Sequence, residues 1–274
     1  MTAEVAFVTG ASRGIGKACS IALARAGYDV VIAARTLEPG EPREHSLTVH
    51  KSDTRPLPGS LRETAAIIEE AGQRALVVQM DLLDRASVGA GMATALERWG
   101  RVDLVLHNGR YIGPGMMDRF LDTPIDAYEK FLEAHVIAQL ILTKMALPGM
   151  LERGQGTIMT MGSGAAYTDP TAPPGEGGVG LGYAIGKAAG HRLVGHLKAE
   201  FSSRGIRSFN VNPGHVRTER NSLEADHFGR STAAPPEVVG AVIAWLATAP
   251  EASELDGTNV EAQDLCKKLS LYSF

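Results

Sequence analysis

Short runs of β-branched and apolar residues alternate along this chain with longer stretches whose apolar positions recur at helical spacing. The pattern predicts strands at Glu4–Thr9, Asp29–Ala34, Ala75–Met80, Asp103–His107, Gly156–Met161 and Ile206–Val211, with a last short one near Thr258–Glu261. Between them it predicts helices at Gly14–Ala26, Leu61–Ala71, Arg85–Trp99, Asp126–Leu151 and Leu181–Ser203, and Pro236–Ala247 as the closing helix. Such alternation builds βαβ units, in which a parallel sheet is covered on both faces. The expected architecture is therefore α/β, a doubly wound parallel sheet in a single domain spanning residues 1–274.

Two stretches break the rhythm. Residues 36–60 are polar and carry Pro39, Pro42, Pro56 and Pro58, and residues 168–182 are rich in proline and glycine. Loops of that length in a compact domain are functional or are tolerated insertions. Both readings stand for the first stretch; its position favours function for the second.

Composition removes several classes of function. With 274 residues the chain is long enough to bury a core without disulfides or metal. Its formal net charge is −4 with scattered basic residues, which leaves no footprint for nucleic acid or an anionic membrane surface. No apolar run is expected to approach the ~20 residues a membrane span needs, and no leader segment is expected at the start. Cys19 and Cys266 lack metal-ligand spacing and are expected as free thiols in a cytoplasmic protein, with no metal site.

The first predicted strand runs into Thr9-Gly10-Ala11-Ser12-Arg13-Gly14-Ile15-Gly16, which opens the first helix. Glycines there allow a tight turn and close approach to a pyrophosphate, and the helix N-terminus offers free N–H groups and a positive dipole end. An NAD site places an acid near the end of the second strand to hold the ribose diol. Here Ala34 is followed by Arg35, and Arg13 stands in the glycine turn. Two arginines without an acid favour NADP(H) through charge-assisted bonds to a 2′-phosphate.

Tyr183 and Lys187 lie four residues apart, on one face of a predicted helix, and Ser163 follows the strand ending at Met161. Ligands of open α/β sheets bind at that carboxyl edge. A tyrosine made acidic by a nearby ammonium can exchange a proton with an alcohol or carbonyl oxygen, and a serine hydroxyl can hold that oxygen in place.

Taken together, TGASRGIG at Thr9–Gly16, Asp81-Leu82, Ser163, YAIGK at Tyr183–Lys187 and NPGHVRT at Asn212–Thr218 resemble the short-chain dehydrogenase/reductase family in order and spacing. The resemblance implies a Rossmann-like fold and a nicotinamide cofactor. It also implies a small carbonyl or alcohol substrate and a homo-oligomer, dimer or tetramer, packed through helices like 126–151 and 181–203. By the same resemblance Ser163, Tyr183 and Lys187 are catalytic, with Lys187 also touching the cofactor. Gly10, Ser12, Gly14, Ile15 and Gly16 would bind the pyrophosphate, Arg13 and Arg35 the 2′-phosphate, and, by the resemblance, Asp81 and Leu82 the adenine. Asn108, Pro213, Gly214, Val216 and Thr218 would flank the rest of the cofactor.

Three departures stand out. Where the family has Asn-Asn-Ala-Gly, this chain reads His107-Asn108-Gly109-Arg110, so only Asn108 carries over and Arg110 intrudes on the site. The family's catalytic asparagine aligns with His135. It shares a stripe with Phe131, Ala138 and Leu142, as a core histidine would, and it also stands where a proton relay would need it; both roles remain open. The gap from Ser163 to Tyr183 is long, which makes residues 168–182 a rim. Tyr111, Met116, Met117, Tyr167 and His215 are candidate pocket residues. The same catalytic groups would serve a 3-oxoacyl-thioester reductase. A non-catalytic NADP(H) sensor is the remaining reading, though a sensor has no use for all three groups.

Overall fold

A computed structural model describes residues 3–220 and 233–274. Seven parallel strands, β1 (Val5–Thr9), β2 (Asp29–Ala34), β3 (Ala75–Gln79), β4 (Leu104–His107), β5 (Gly156–Met161), β6 (Ile206–Asn212) and β7 (Asn259–Glu261), form one sheet. Their order is β3-β2-β1-β4-β5-β6-β7. The central strands read as continuous apolar runs because both faces are covered: every residue of β1, β2, β4 and β5 is buried. One face carries α1 (Gly14–Arg25), α2 (Leu61–Glu70), α7 (Pro236–Thr248) and α8 (Ala262–Leu269), around Leu23, Ile32, Ile68, Phe209 and Ile243. The other carries α3 (Arg85–Trp99), α5 (Ala138–Arg153) and α6 (Leu181–Phe201), around Phe7, Met92, Leu142 and Ile158.

Strand order reverses between β1 and β4, which opens a crevice at their carboxyl ends. The Asn108 amide ties those ends together, donating from Nδ2 to the Thr9 carbonyl (2.9 Å). Gly109 N–H reinforces the tie by donating to Thr9 Oγ1 (2.8 Å). Elsewhere the local chemistry is ordinary: Ser60 caps α2, and Asp84 caps α3.

The chain departs from expectation in three elements. α7 does not close the helices: α8 follows β7, with Ala262 and Cys266 buried. The rod expected at 126–151 is interrupted. α4 (Ile125–Leu132) passes through a π-turn, Glu133–Ile137, before α5 begins. The turn inserts one residue into the helical register and delivers His135 toward α6, whose Gly182, Gly186 and Gly190 form a facing stripe. A Cβ on Gly186 would stand 2.6 Å from His135 Nδ1, so only glycine admits the ring there. Third, the helical rod Ile125–Arg153 does meet the length and apolarity of a membrane span, contrary to expectation. Of its most apolar window 44% is buried, and Ala138, Leu142, Ala146 and Met150 pack into the core on that face of the sheet.

Candidate active site

A cleft of about 380 Å³ opens along the carboxyl edge of the sheet. Every residue expected to bind cofactor lines it: Gly10, Ser12, Arg13, Gly14, Ile15, Gly16, Arg35, Asp81, Leu82, Asn108, Pro213, Gly214, Val216 and Thr218, together with Ser163, Tyr183 and Lys187. His135 is not among its lining residues.

The glycine turn is shaped as a phosphate cradle. Gly10 and Gly14 have φ of +68° and +54°, and a Cβ on Gly16 would lie 2.2 Å from the Gly10 carbonyl oxygen. The donor chemistry is anion-seeking, because Gly14 N–H already donates to a carboxylate, Glu219 Oε2, at 2.9 Å. These residues fit the pyrophosphate of a dinucleotide.

The stretch 36–60 is not a surface appendage. It folds back over the cleft and contributes Glu41, Arg43, His45, Arg55 and Leu57 to its wall. Its anchor is Asp118, whose buried carboxylate accepts from the N–H groups of Val49 and Gly115 and from the Thr48 hydroxyl. Arg13 is bound into the same stretch. Its Nε donates to the Pro58 carbonyl (2.9 Å) and Nη2 to that of Gly59 (2.7 Å), so its fork partly holds the insertion instead of facing a 2′-phosphate alone. Burial lowers the Arg13 pKa, with Glu219 opposing and Arg35 adding to that shift. Glu41, an acid the strand-end reading did not consider, lines the cleft and pairs with Arg43 at 2.6 Å.

At the other end α6 presents Tyr183 and Lys187 one turn apart. Lys187 is buried and donates from Nζ to the Met161 carbonyl at 2.6 Å. Its Nζ stands 5.8 Å from the centre of the Tyr183 ring, and the Arg110 guanidinium carbon stands 5.9 Å from it. Burial pushes the Tyr183 pKa up. Lys187, Arg110 and polar contact with Ser163 and Arg110 pull it down and prevail, so the phenol is more acidic than an ordinary tyrosine. Two unit charges at about 6 Å in an effective dielectric near 20 contribute roughly 3 kcal/mol each, enough to outweigh partial desolvation. Burial also lowers the Lys187 pKa, with Tyr183 opposing and Arg110 reinforcing the shift.

His135 sits behind this pair, its ring 5.9 Å from that of Tyr183. Nε2 accepts the Tyr111 N–H at 3.2 Å, and Nδ1 has no partner among the described residues. Burial, then Lys187 and Arg110, hold its pKa well below the ordinary histidine value. The surroundings therefore oppose the charged form that a relay titrating near neutrality would use.

Of the candidate pocket residues, Tyr111, Met116 and His215 line the cleft. Met117 packs instead against the cluster of Leu47, Tyr111 and Phe131. Tyr167 turns away, donating its hydroxyl to Glu261 at 2.7 Å. From the rim at 168–182, Val179 and no other residue before Tyr183 reaches the cleft; Gly180 fastens the rim by donating to the Met116 carbonyl at 2.7 Å.

A family model described as short chain dehydrogenase matches residues 4–60 and 54–227. A human protein named dehydrogenase/reductase SDR family member 7 is 32% identical over 232 residues, covering 82% of this chain. This chain spans 60% of that relative's own length. The oxidoreductase UcpA of Salmonella typhimurium is 30% identical over 218 residues, covering 80% of this chain and 71% of its own. A Mycobacterium tuberculosis relative named an NAD-dependent oxidoreductase is 28% identical over 261 residues and covers 89% of each chain. Among solved structures, an alcohol dehydrogenase from Thermococcus sibiricus complexed with 5-hydroxy-NADP superposes with a TM-score of 0.71 at 24% identity, covering 94% of this chain and 95% of its own.

Proposed function

This chain belongs to the short-chain dehydrogenase family, and we propose that it transfers a hydride between NADP(H) and a carbonyl or secondary alcohol, with Tyr183 as general acid and base. The observation that carries the reading is the placement of Tyr183 beside Lys187, Arg110 and Ser163 in the same cleft as the glycine cradle, with the neighbouring cations drawing its pKa down.

Each residue has a task that its position supports. Ser163 and Tyr183 hold the substrate oxygen between two hydroxyls, which fixes the carbonyl for attack from one face. Tyr183 gives its proton to that oxygen during reduction and recovers one during oxidation. Lys187, tied to the Met161 carbonyl, keeps its ammonium beside the ring and stabilises the phenolate left behind. A bound nicotinamide supplies the hydride chemistry; Gly10, Gly14 and Gly16 with the α1 N-terminus hold its pyrophosphate.

For the nucleotide, the reading rests on Ala34 in place of an acid, with Arg35 lining the cleft and Arg43 joining it from the insertion. One relative is named NAD-dependent and one solved neighbour holds 5-hydroxy-NADP; the side chains of this cleft support NADP(H). One good charge-assisted contact supplies about 1.4 kcal/mol, so a preference for NADPH over NADH of about tenfold or more is expected. Following oxidation of both nucleotides against a panel of ketones, aldehydes and 3-oxoacyl thioesters tests this. Equal use of NADH removes the nucleotide assignment. A marked thioester preference selects the acyl-reductase alternative, and no turnover with any carbonyl removes the enzymatic reading.

A further inference from the structure

We propose that Arg110 receives a carboxylate of the substrate, so that the natural substrate is an oxo acid, or the corresponding hydroxy acid, with its charge one or two bonds from the reacting carbon. This deepens the carbonyl–alcohol reading and rests on it.

Arg110 follows β4 at the carboxyl edge, is half-buried and lines the cleft beside Tyr183. Eight arginines among the described residues make ion pairs with carboxylates; Arg110 makes none. Its polar neighbours are Tyr183 and the Met116 sulfur, 3.7 Å from Nη1, a weak acceptor. Nor do the described residues of the cleft offer it a counter-charge. The carboxylates that line it are Glu41, Asp81 and Glu219. Glu41 pairs with Arg43, Asp81 accepts the Leu83 N–H, and Glu219 accepts the Gly14 N–H. All three lie toward the nucleotide end.

A partly desolvated guanidinium without a counter-ion is costly unless a ligand supplies one. Acidifying Tyr183 would need only a point charge, which Lys187 already provides. A planar fork adds something else, two parallel donors that match a carboxylate. Ile112, Met116 and Val179 line the same region and would accommodate an apolar substituent beside the acid. In reduction the carbonyl carbon gains hydride from the reduced nicotinamide while its oxygen takes the Tyr183 proton. The C=O π bond becomes the new O–H, and the carboxylate on Arg110 keeps its charge and bonding throughout.

The test uses matched pairs, aliphatic 2-oxo and 3-oxo acids against their neutral ethyl esters, with the full-length protein. The wild type is expected to favour acid over ester in kcat/KM by about a hundredfold, the range of one bidentate charge-assisted contact. Arg110→Met lowers both rates through its effect on Tyr183, but the acid-to-ester ratio collapses toward one, mainly through KM. Arg110→Lys restores part of the ratio. Affinity for the nucleotide, followed by its fluorescence, should be unchanged and shows that each variant is folded. A wild type indifferent to the charge, or a ratio that survives Arg110→Met, overturns the proposal. If no carbonyl is turned over, the reaction assignment fails, and calorimetry of 2-oxobutanoate binding judges the arginine separately: loss of binding in Arg110→Met supports it, and equal or absent binding to both proteins overturns it.

Discussion

The two ends of the cleft are built on opposite principles. At the nucleotide end the chain itself makes the site: glycines in left-handed conformations, a helix terminus, and charges that answer one another, Glu41 with Arg43 and Glu219 with the Gly14 N–H. At the catalytic end the geometry comes from side chains on α6 and just beyond β4 and β5, and the charges have no carboxylate partner among the described residues. Lys187 and Arg110 both face Tyr183 with no carboxylate among the described cleft residues on that side. The binding end, as proposed, pairs part of its charge and keeps Arg35 in the cleft wall for a phosphate, while the glycine turn supplies shape. The reacting end, as proposed, keeps positive charge unpaired, Lys187 for a transient phenolate and Arg110 for the substrate carboxylate.

The largest test of that contrast is Tyr183→Phe. Removing the hydroxyl should cut turnover by about a thousandfold or more, roughly 4 kcal/mol of transition-state stabilisation, while nucleotide affinity changes little. Lys187→Ala should damage both. Steady-state kinetics with fluorescence titration of the nucleotide separates them, and substantial residual activity in Tyr183→Phe would move the acid elsewhere.

Gly16→Ala sharpens the comparison from the other side. Its Cβ would meet the Gly10 carbonyl oxygen at 2.2 Å and Asn108 Nδ2 at 2.5 Å. Overpacking of this kind costs about 1–3 kcal/mol, and nucleotide binding should weaken with the melting temperature. A variant that melts normally and binds normally would mean that the turn is not a cradle.

The smallest effect concerns His135. Its folded pKa is depressed, so the folded protein resists a proton that the unfolded chain accepts near 6.5. The stability at stake is fully present above that pH and is lost as pH falls below it, at up to about 1.4 kcal/mol per pH unit. His107, buried and pushed down to about 3 by desolvation, adds an equal slope between about 6.5 and 3. Urea melts from pH 7 to 5 should therefore show a shallower loss in His135→Asn, while the pH profile of alcohol oxidation keeps its shape. A profile that loses an ionisation in this variant would restore the histidine to a proton relay.

Much of this was legible in the sequence because periodicity and glycine placement act locally. β1, the glycine turn and α1 follow from adjacent residues, and Tyr183 with Lys187 follows from helical spacing. Topology then brings Asp81, Asn108 and Pro213 to the same edge. The π-turn at Glu133–Ile137 escaped because a single inserted residue barely disturbs an apolar period. The insertion escaped because its contacts are long-range: nothing near His45 or Leu57 announces that Asp118 will anchor their loop over the cleft. Tyr167 was misplaced for the same reason, its partner Glu261 being remote in sequence. α8 was there to be read, since Ala262, Leu265, Cys266 and Leu269 keep helical spacing, but the short strand before it looked like an end.

The carboxylate of Glu219 on the Gly14 N–H makes the cradle a seat with an occupant of its own. A phosphate arriving there enters by substitution, and its observed affinity is a difference between two rival anions competing for one amide. The tether makes the internal rival ever-present at high local concentration, so it withdraws only when the incoming group offers more contacts than a single carboxylate can. On the proposed reading, fragments that carry one phosphate would meet the full competition, whereas a whole dinucleotide, held also along Asp81 and Lys187, would override it. Discrimination of size would then lie in a position that never needs to touch the ligand.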